Sequence, residues 1–87
     1  MEVVRRHLLV SGRVQGVSYR AGCQQVAEAH DVTGWVRNVG RAQVEAVFEG
    51  RVAAVDAVLE WAHQGPPGAA VSDVKVRDED PQGLKGF

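Results

Sequence analysis

Two short stretches hold the residues best suited to handling a phosphate. The first is Arg13-Val14-Gln15-Gly16-Val17-Ser18-Tyr19-Arg20. The apolar run Leu8-Leu9-Val10 before it reads as a strand and the pattern after it as a helix, so the stretch connects the two. Successive backbone N–H groups in such a turn converge on an anion, with the positive end of the helix dipole behind them. The backbone of Gln15, Gly16, Val17, Ser18 and Tyr19 is therefore a candidate anion cradle. Gly16 permits a sharp backbone path and close approach of a phosphate. Arg20, in the first helical turn, offers a guanidinium fork for phosphate oxygens. Taken alone, the loop reads better as an ordinary turn with a surface arginine, because glycine-rich strand-to-helix connections are common. The second stretch contributes Asn38, whose neutral amide both donates and accepts hydrogen bonds and so can orient a water. Taken alone, Asn38 too reads better as a turn residue tolerant of left-handed geometry.

The elements that position these groups follow from periodicity. Residues from about Val3 to Gly12 form a first strand, and Gly12 to Ser18 is turn-like. Tyr19, Cys23, Val26, Ala27 and His30 fall on one helical face, with Ser18 as the N-cap. Val32 to Asn38 is a second strand, and Asn38-Val39-Gly40-Arg41 a tight turn. Val44, Ala46 and Phe48 alternate with Gln43, Glu45 and Glu49, predicting a third strand with one buried and one wet face. Val52, Val55, Leu59 and Ala62 recur at helical spacing through about His63, and Gly65-Pro66-Pro67-Gly68 stops that helix. Val71, Val74 and Val76 begin a fourth strand, with Lys75 and Arg77 outward. Asp78-Glu79-Asp80-Pro81 is a solvated loop, and Leu84 to Phe87 starts a short last strand. The order β-α-β-β-α-β predicts an α+β ferredoxin-like sandwich: a mixed, mainly antiparallel sheet with two helices on one face. Strands one and two then both flank the first helix, bringing Asn38 near the loop. The pattern alone carries no activity, since this fold hosts many.

Bulk composition narrows the classes. Eighty-seven residues make one domain, 1–87. The net charge of −1 argues against general binding to nucleic acid or anionic membrane. An RNA-binding sheet would show exposed aromatics on its central strands, whereas the third strand offers Gln43, Glu45 and Glu49. A single cysteine, Cys23, excludes an internal disulfide and a cysteine-rich metal site. Glu2, Arg5, Arg6 and His7 interrupt the apolar N-terminus, so no secretory signal is expected, and no apolar run spans a bilayer. A monomer in a reducing cytoplasm is the expectation. Eight of the ten basic residues are arginine, a bias that genome composition and thermal adaptation explain equally.

Other reactive side chains have plainer readings. Cys23 lies on the inward helix face as a small core residue. His7, His30 and His63 share no metal-ligand spacing. Trp35 and Trp61 read as packing residues. Tyr19 suits either the pocket wall or the core.

Gly12-Arg13-Val14-Gln15-Gly16-Val17-Ser18-Tyr19-Arg20 resembles the acylphosphatase signature, and Gly34-Trp35-Val36-Arg37-Asn38 resembles that family's second conserved block. The separation of the blocks matches too, as do Val44-Glu45-Ala46, Glu49-Gly50 and Gly65-Pro66-Pro67 further on, so the similarity covers nearly the whole chain. The resemblance implies a hydrolase for acyl phosphates needing no metal or cofactor. By it Arg20 holds the phosphate, the loop amides share its charge, and Asn38 positions the attacking water. The implied partner is a small-molecule acyl phosphate. Three departures stand out. Ser18 replaces a residue that is often bulky or aromatic, Asp31 takes a helix-end position often filled by glycine, and the sequence stops at Phe87 where relatives continue through a final strand. The rivals are a non-catalytic phosphate- or partner-binding module of the same fold, and the acylphosphatase-like module of larger hydrogenase-maturation proteins. The latter continue into cysteine-rich zinc motifs that this sequence lacks.

Overall fold

The computed structural model describes residues 2–87. Its elements are β1 (Val3–Arg13), α1 (Tyr19–Ala29), β2 (Thr33–Val39), β3 (Gln43–Arg51), α2 (Val52–Gln64) and β4 (Ala70–Glu79), the expected β-α-β-β-α-β order. The strands form one sheet in the order β2-β3-β1-β4. Every pairing is antiparallel, which places the sheet at the antiparallel extreme of the mixed arrangement expected. The reason is topological. Each helical crossover returns the chain parallel to the strand it left but one place over, with an oppositely directed strand between. Thus β3 separates β1 from β2, and β1 separates β3 from β4.

The core lies between one sheet face and the two helices. Leu8, Val10, Val44, Ala46 and Phe48 supply the sheet side, Tyr19, Cys23 and Ala27 come from α1, and Val55, Val58 and Ala62 from α2. Helix α1 ends at Ala29, so His30 caps it in solvent instead of extending the buried stripe. Asp31 then takes φ 57°. Its amide donates to Glu28 O, and that of Val32 donates to Ala27 O at 2.8 Å. This is the Schellman closure that glycine usually makes, so the aspartate does accept the left-handed geometry.

Four expectations change in detail. The hairpin turn sits slightly later, since β2 continues to Val39 and the turn is Gly40-Arg41-Ala42, with Gly40 at φ 58°. The outward face of β3 is not uniformly wet: Val47 is buried and Glu49 is 3% exposed. Gln82 N and Leu84 N donate to the Glu49 carboxylate at 2.7 and 2.9 Å, so the segment after β4 covers that end of the sheet. Asp78 and Glu79, read as loop, complete β4 opposite Arg6 and Arg5, whose charges hold them there. Leu84 to Phe87 forms no strand. The Leu84 bond to Glu49, a backbone bond from Gly34 N to Gly86 O, 3.0 Å, and stacking of Phe87 on Phe48 at 6.0 Å between centroids secure it instead.

Candidate active site

Because β1 and β2 run in the same direction, the loop after β1 and the hairpin after β2 emerge at the same end of the sheet. There Gln15, Gly16, Ser18, Tyr19, Arg20 and Asn38, with Val14 and Ala21, line one cleft of about 430 Å³. The two stretches singled out in the sequence therefore meet. Val17 alone of the cradle residues does not line the cleft. Its side chain packs against the core, so it offers only backbone.

The start of α1 has the features of an anion site. Gly16 at φ 74° and Ser18 at φ 63° are both left-handed, with Val17 between them. Alternation of this kind turns successive N–H groups toward one point. A Cβ on Gly16 would meet nothing within 4 Å, so the glycine is required by its backbone angle and not by crowding. Ser18 does occupy the N-cap position, but in αL conformation and with no side-chain capping bond, contrary to the usual role of serine there. No acidic residue lies in the first turn. The helix start thus keeps its N–H groups and its partial positive charge available to a ligand.

Tyr19 anchors this loop from below. It is 2% exposed, its hydroxyl donates to Ala62 O at 2.7 Å, and its ring tilts against Trp61 at 5.1 Å. Burial, then the neighbouring Cys23, push the phenol well above its ordinary range, so Tyr19 holds its proton and is both wall and core. Arg20 is exposed and, among the described residues, pairs with no carboxylate. Asn38 is exposed near the end of edge strand β2, opposite Val44. Among the described residues no Asp, Glu or His lines the cleft. The histidines are engaged elsewhere or exposed: His7 pairs with Glu45 at 2.6 Å and His63 bonds Leu59 O. Among the described residues no cluster of three or more His, Cys, Asp or Glu could hold a metal.

Sequence reasoning took Gln15 for its backbone amide and missed its side chain. Gln15 Nε2 lies 3.0 Å from Gly40 O, 3.0 Å from Gln43 O and 3.3 Å from Val39 O, all in the hairpin beside Asn38. The available signal was a long polar side chain between Val14 and Gly16, where an apolar loop residue would otherwise suffice.

The acylphosphatase family profile matches residues 6–87. The chain belongs to the acylphosphatase family. An acylphosphatase of Haloquadratum walsbyi is 53% identical over 83 residues, covering 95% of this chain and 89% of the relative. One from Haloarcula marismortui is 52% identical over 87 residues, covering 100% and 96%. Among solved structures, an acylphosphatase from Coxiella burnetii superposes with a TM-score of 0.93 at 36% identity, over 98% of this chain and 90% of that one. The acylphosphatase fold and the acylphosphatase motifs thus coincide along the same residues, and the cleft lies where the motifs join.

Proposed function

We propose that this cleft hydrolyses the carboxyl–phosphate bond of acyl phosphates, giving a carboxylate and inorganic phosphate. The observation that carries the reading is an uncapped helix start and an unpaired Arg20 sharing one cleft with Asn38 and with no acidic side chain. Such a cleft attracts a phosphoryl group and offers it donors. It has no carboxylate or imidazole to protonate a leaving group, and Tyr19 keeps its proton. A phosphate ester, which expels an alkoxide, fits poorly. A mixed anhydride fits well, because its leaving carboxylate is stable without a proton.

The assigned roles follow. The amides of Gln15, Gly16, Val17, Ser18 and Tyr19 and the guanidinium of Arg20 hold the phosphoryl oxygens and stabilise their charge. Asn38 holds a water in line with the bond to be broken. The water oxygen bonds to phosphorus as the acyl P–O bond breaks, and that electron pair leaves with the carboxylate. The water proton passes to an oxygen of the substrate itself. Each well-placed donor contributes about 3 kcal/mol to such a transition state. Residues 1–87 act as one domain, taking a small-molecule substrate, without nucleic acid or membrane as partner, as a monomer in the cytoplasm. The lone, buried Cys23 suits a reducing compartment, and sedimentation equilibrium tests the monomer.

The test is hydrolysis of benzoyl phosphate, followed by ultraviolet absorbance with EDTA present, for the native chain and for Arg20→Ala and Asn38→Ala. Rapid turnover lost in both variants, with phosphate still bound by Asn38→Ala, supports every role. Inactivity of the folded native chain would leave a phosphate-binding module, and an active Asn38→Ala would remove Asn38 from the mechanism.

A further inference from the structure

We infer that the Gln15 side chain is a positioning residue: it ties the hairpin that carries Asn38 to the loop that carries the phosphate cradle, and so sets the water in line with the phosphoryl group. The inference rests on the roles proposed above for Arg20 and Asn38. The two halves of the site come from different parts of the chain, and in-line attack tolerates little error between them. Misplacement by about 1 Å costs on the order of 10²-fold in rate. Asn38 lies on an edge strand, held on one side by β3 alone. Some contact must relate it to the cradle.

Gln15 supplies that contact. Three carbonyl oxygens, Val39 O, Gly40 O and Gln43 O, surround its terminal nitrogen at 3.0–3.3 Å. Only the amide NH2 can donate to carbonyls, so the network itself fixes which end of the side chain points inward. Val39 directly follows Asn38, Gly40 opens the turn, and Gln43 is the first residue after it. Among the described residues no other hydrogen bond joins the cradle to this hairpin. The hairpin nevertheless has its own attachment to β1, through Gly12 N to Ala42 O at 3.0 Å and Gln43 Nε2 to Ser11 Oγ at 3.1 Å. Loss of the Gln15 amide therefore leaves the fold in place and frees the relation between cradle and water. Gln15 thus lends its backbone to the cradle and its side chain to the hairpin.

The experiment compares Gln15→Leu and Gln15→Glu with the native chain, each also in the Asn38→Ala background, using benzoyl phosphate turnover and competitive inhibition by inorganic phosphate. Leucine removes the donors at similar length, and glutamate sets a carboxylate against the three carbonyls. If leucine does not fold, the glutamate variant carries the same test. The expected result is a fall in kcat of about 10–100-fold, with the phosphate inhibition constant changed less than about twofold. In the Asn38→Ala background the same substitutions should add almost nothing, because the group they position is already gone. An equal loss in both backgrounds, or a weakening of phosphate binding that matches the loss of rate, would overturn the inference. An Asn38→Ala variant as active as the native chain would instead overturn the role of Asn38 proposed above, and the positioning role with it.

Discussion

The two ends of the sheet treat an arginine in opposite ways. At the cleft end, Arg20 is exposed, unpaired and close to an uncapped helix start. At the far end, Arg5 is 6% exposed and enclosed by carboxylates. Its Nε donates to Glu79 at 2.8 Å, and its Nη1 lies 3.6 Å from Glu49 Oε1. Glu49 in turn accepts the amides of Gln82 and Leu84. Nη1 makes no hydrogen bond, so the burial is incompletely compensated. The contrast shows how one residue type serves two ends. A charge whose partners are built into the protein organises the chain, here by fastening the C-terminal segment across the sheet. A charge left without a partner is available to a ligand.

Exchanging the two losses breaks the comparison most sharply. Arg20→Ala should lower kcat/KM by at least about 10²–10³-fold, while its denaturation midpoint stays near native, since surface changes cost about 0.5 kcal/mol or less. Glu49→Ala should do the reverse. It leaves Arg5 buried beside a lost partner and frees two amides, at about 3 kcal/mol in urea unfolding, with benzoyl phosphate turnover per folded molecule unchanged. A large activity loss in Glu49→Ala under folding conditions would mean the two ends are coupled.

Acid should act on the far end first. Burial raises the Glu49 carboxyl, but the amides of Gln82, Leu84 and Gly83 and the charge of Arg5 outweigh it and hold it below the ordinary range. Glu79 is lowered chiefly by its bond to Arg5, and Glu45 chiefly by its bond to His7. Folded carboxyls with lowered pKa stabilise the protein fully above the unfolded value, about 4.3, and lose that contribution as pH falls through the folded value. Thermal unfolding should therefore be flat from pH 5 upward in this respect and decline below about pH 4, with Glu49→Gln flattening the decline.

Two smaller effects sharpen the cleft end. Ser18→Gly removes a left-handed non-glycine residue but loosens the unfolded chain, so stability should shift by about 1 kcal/mol or less. Turnover should persist, because the proposed cradle uses the backbone amide of residue 18 and not the serine hydroxyl. Cys23, beneath the cleft in α1, has its thiol pushed up to about 12 by burial. Iodoacetamide should label it only on unfolding and leave native activity unchanged.

Much of the site was legible because it is local. A strand-to-helix turn with Gly16 and Arg20 announces its own geometry, and the family motifs attach a chemistry to it. Asn38 was legible by type, and its place near the loop followed once the strand order was known. The side chain of Gln15 was not, since its partners lie 24–28 residues away and are backbone carbonyls, which no residue type marks. Glu49 misled for the same reason. Alternation placed it on the wet face, but Arg5 and the segment after β4 close over it, and neither is near in sequence. Asp78 and Glu79 looked like loop by composition, until pairing with Arg6 and Arg5 drew them into β4.

What the sequence determined by itself is the order of the six main elements and the candidate groups of the site. Hydrophobic period, turn residues and the spacing of Gly16, Arg20 and Asn38 are all properties of neighbours along the chain. The tertiary structure decided which charges are neutralised and which remain free, and which amide holds the two halves of the cleft together. Those are decided by residues far apart in sequence, because electrostatics and hydrogen bonding act through distances in space that only the packed sheet sets.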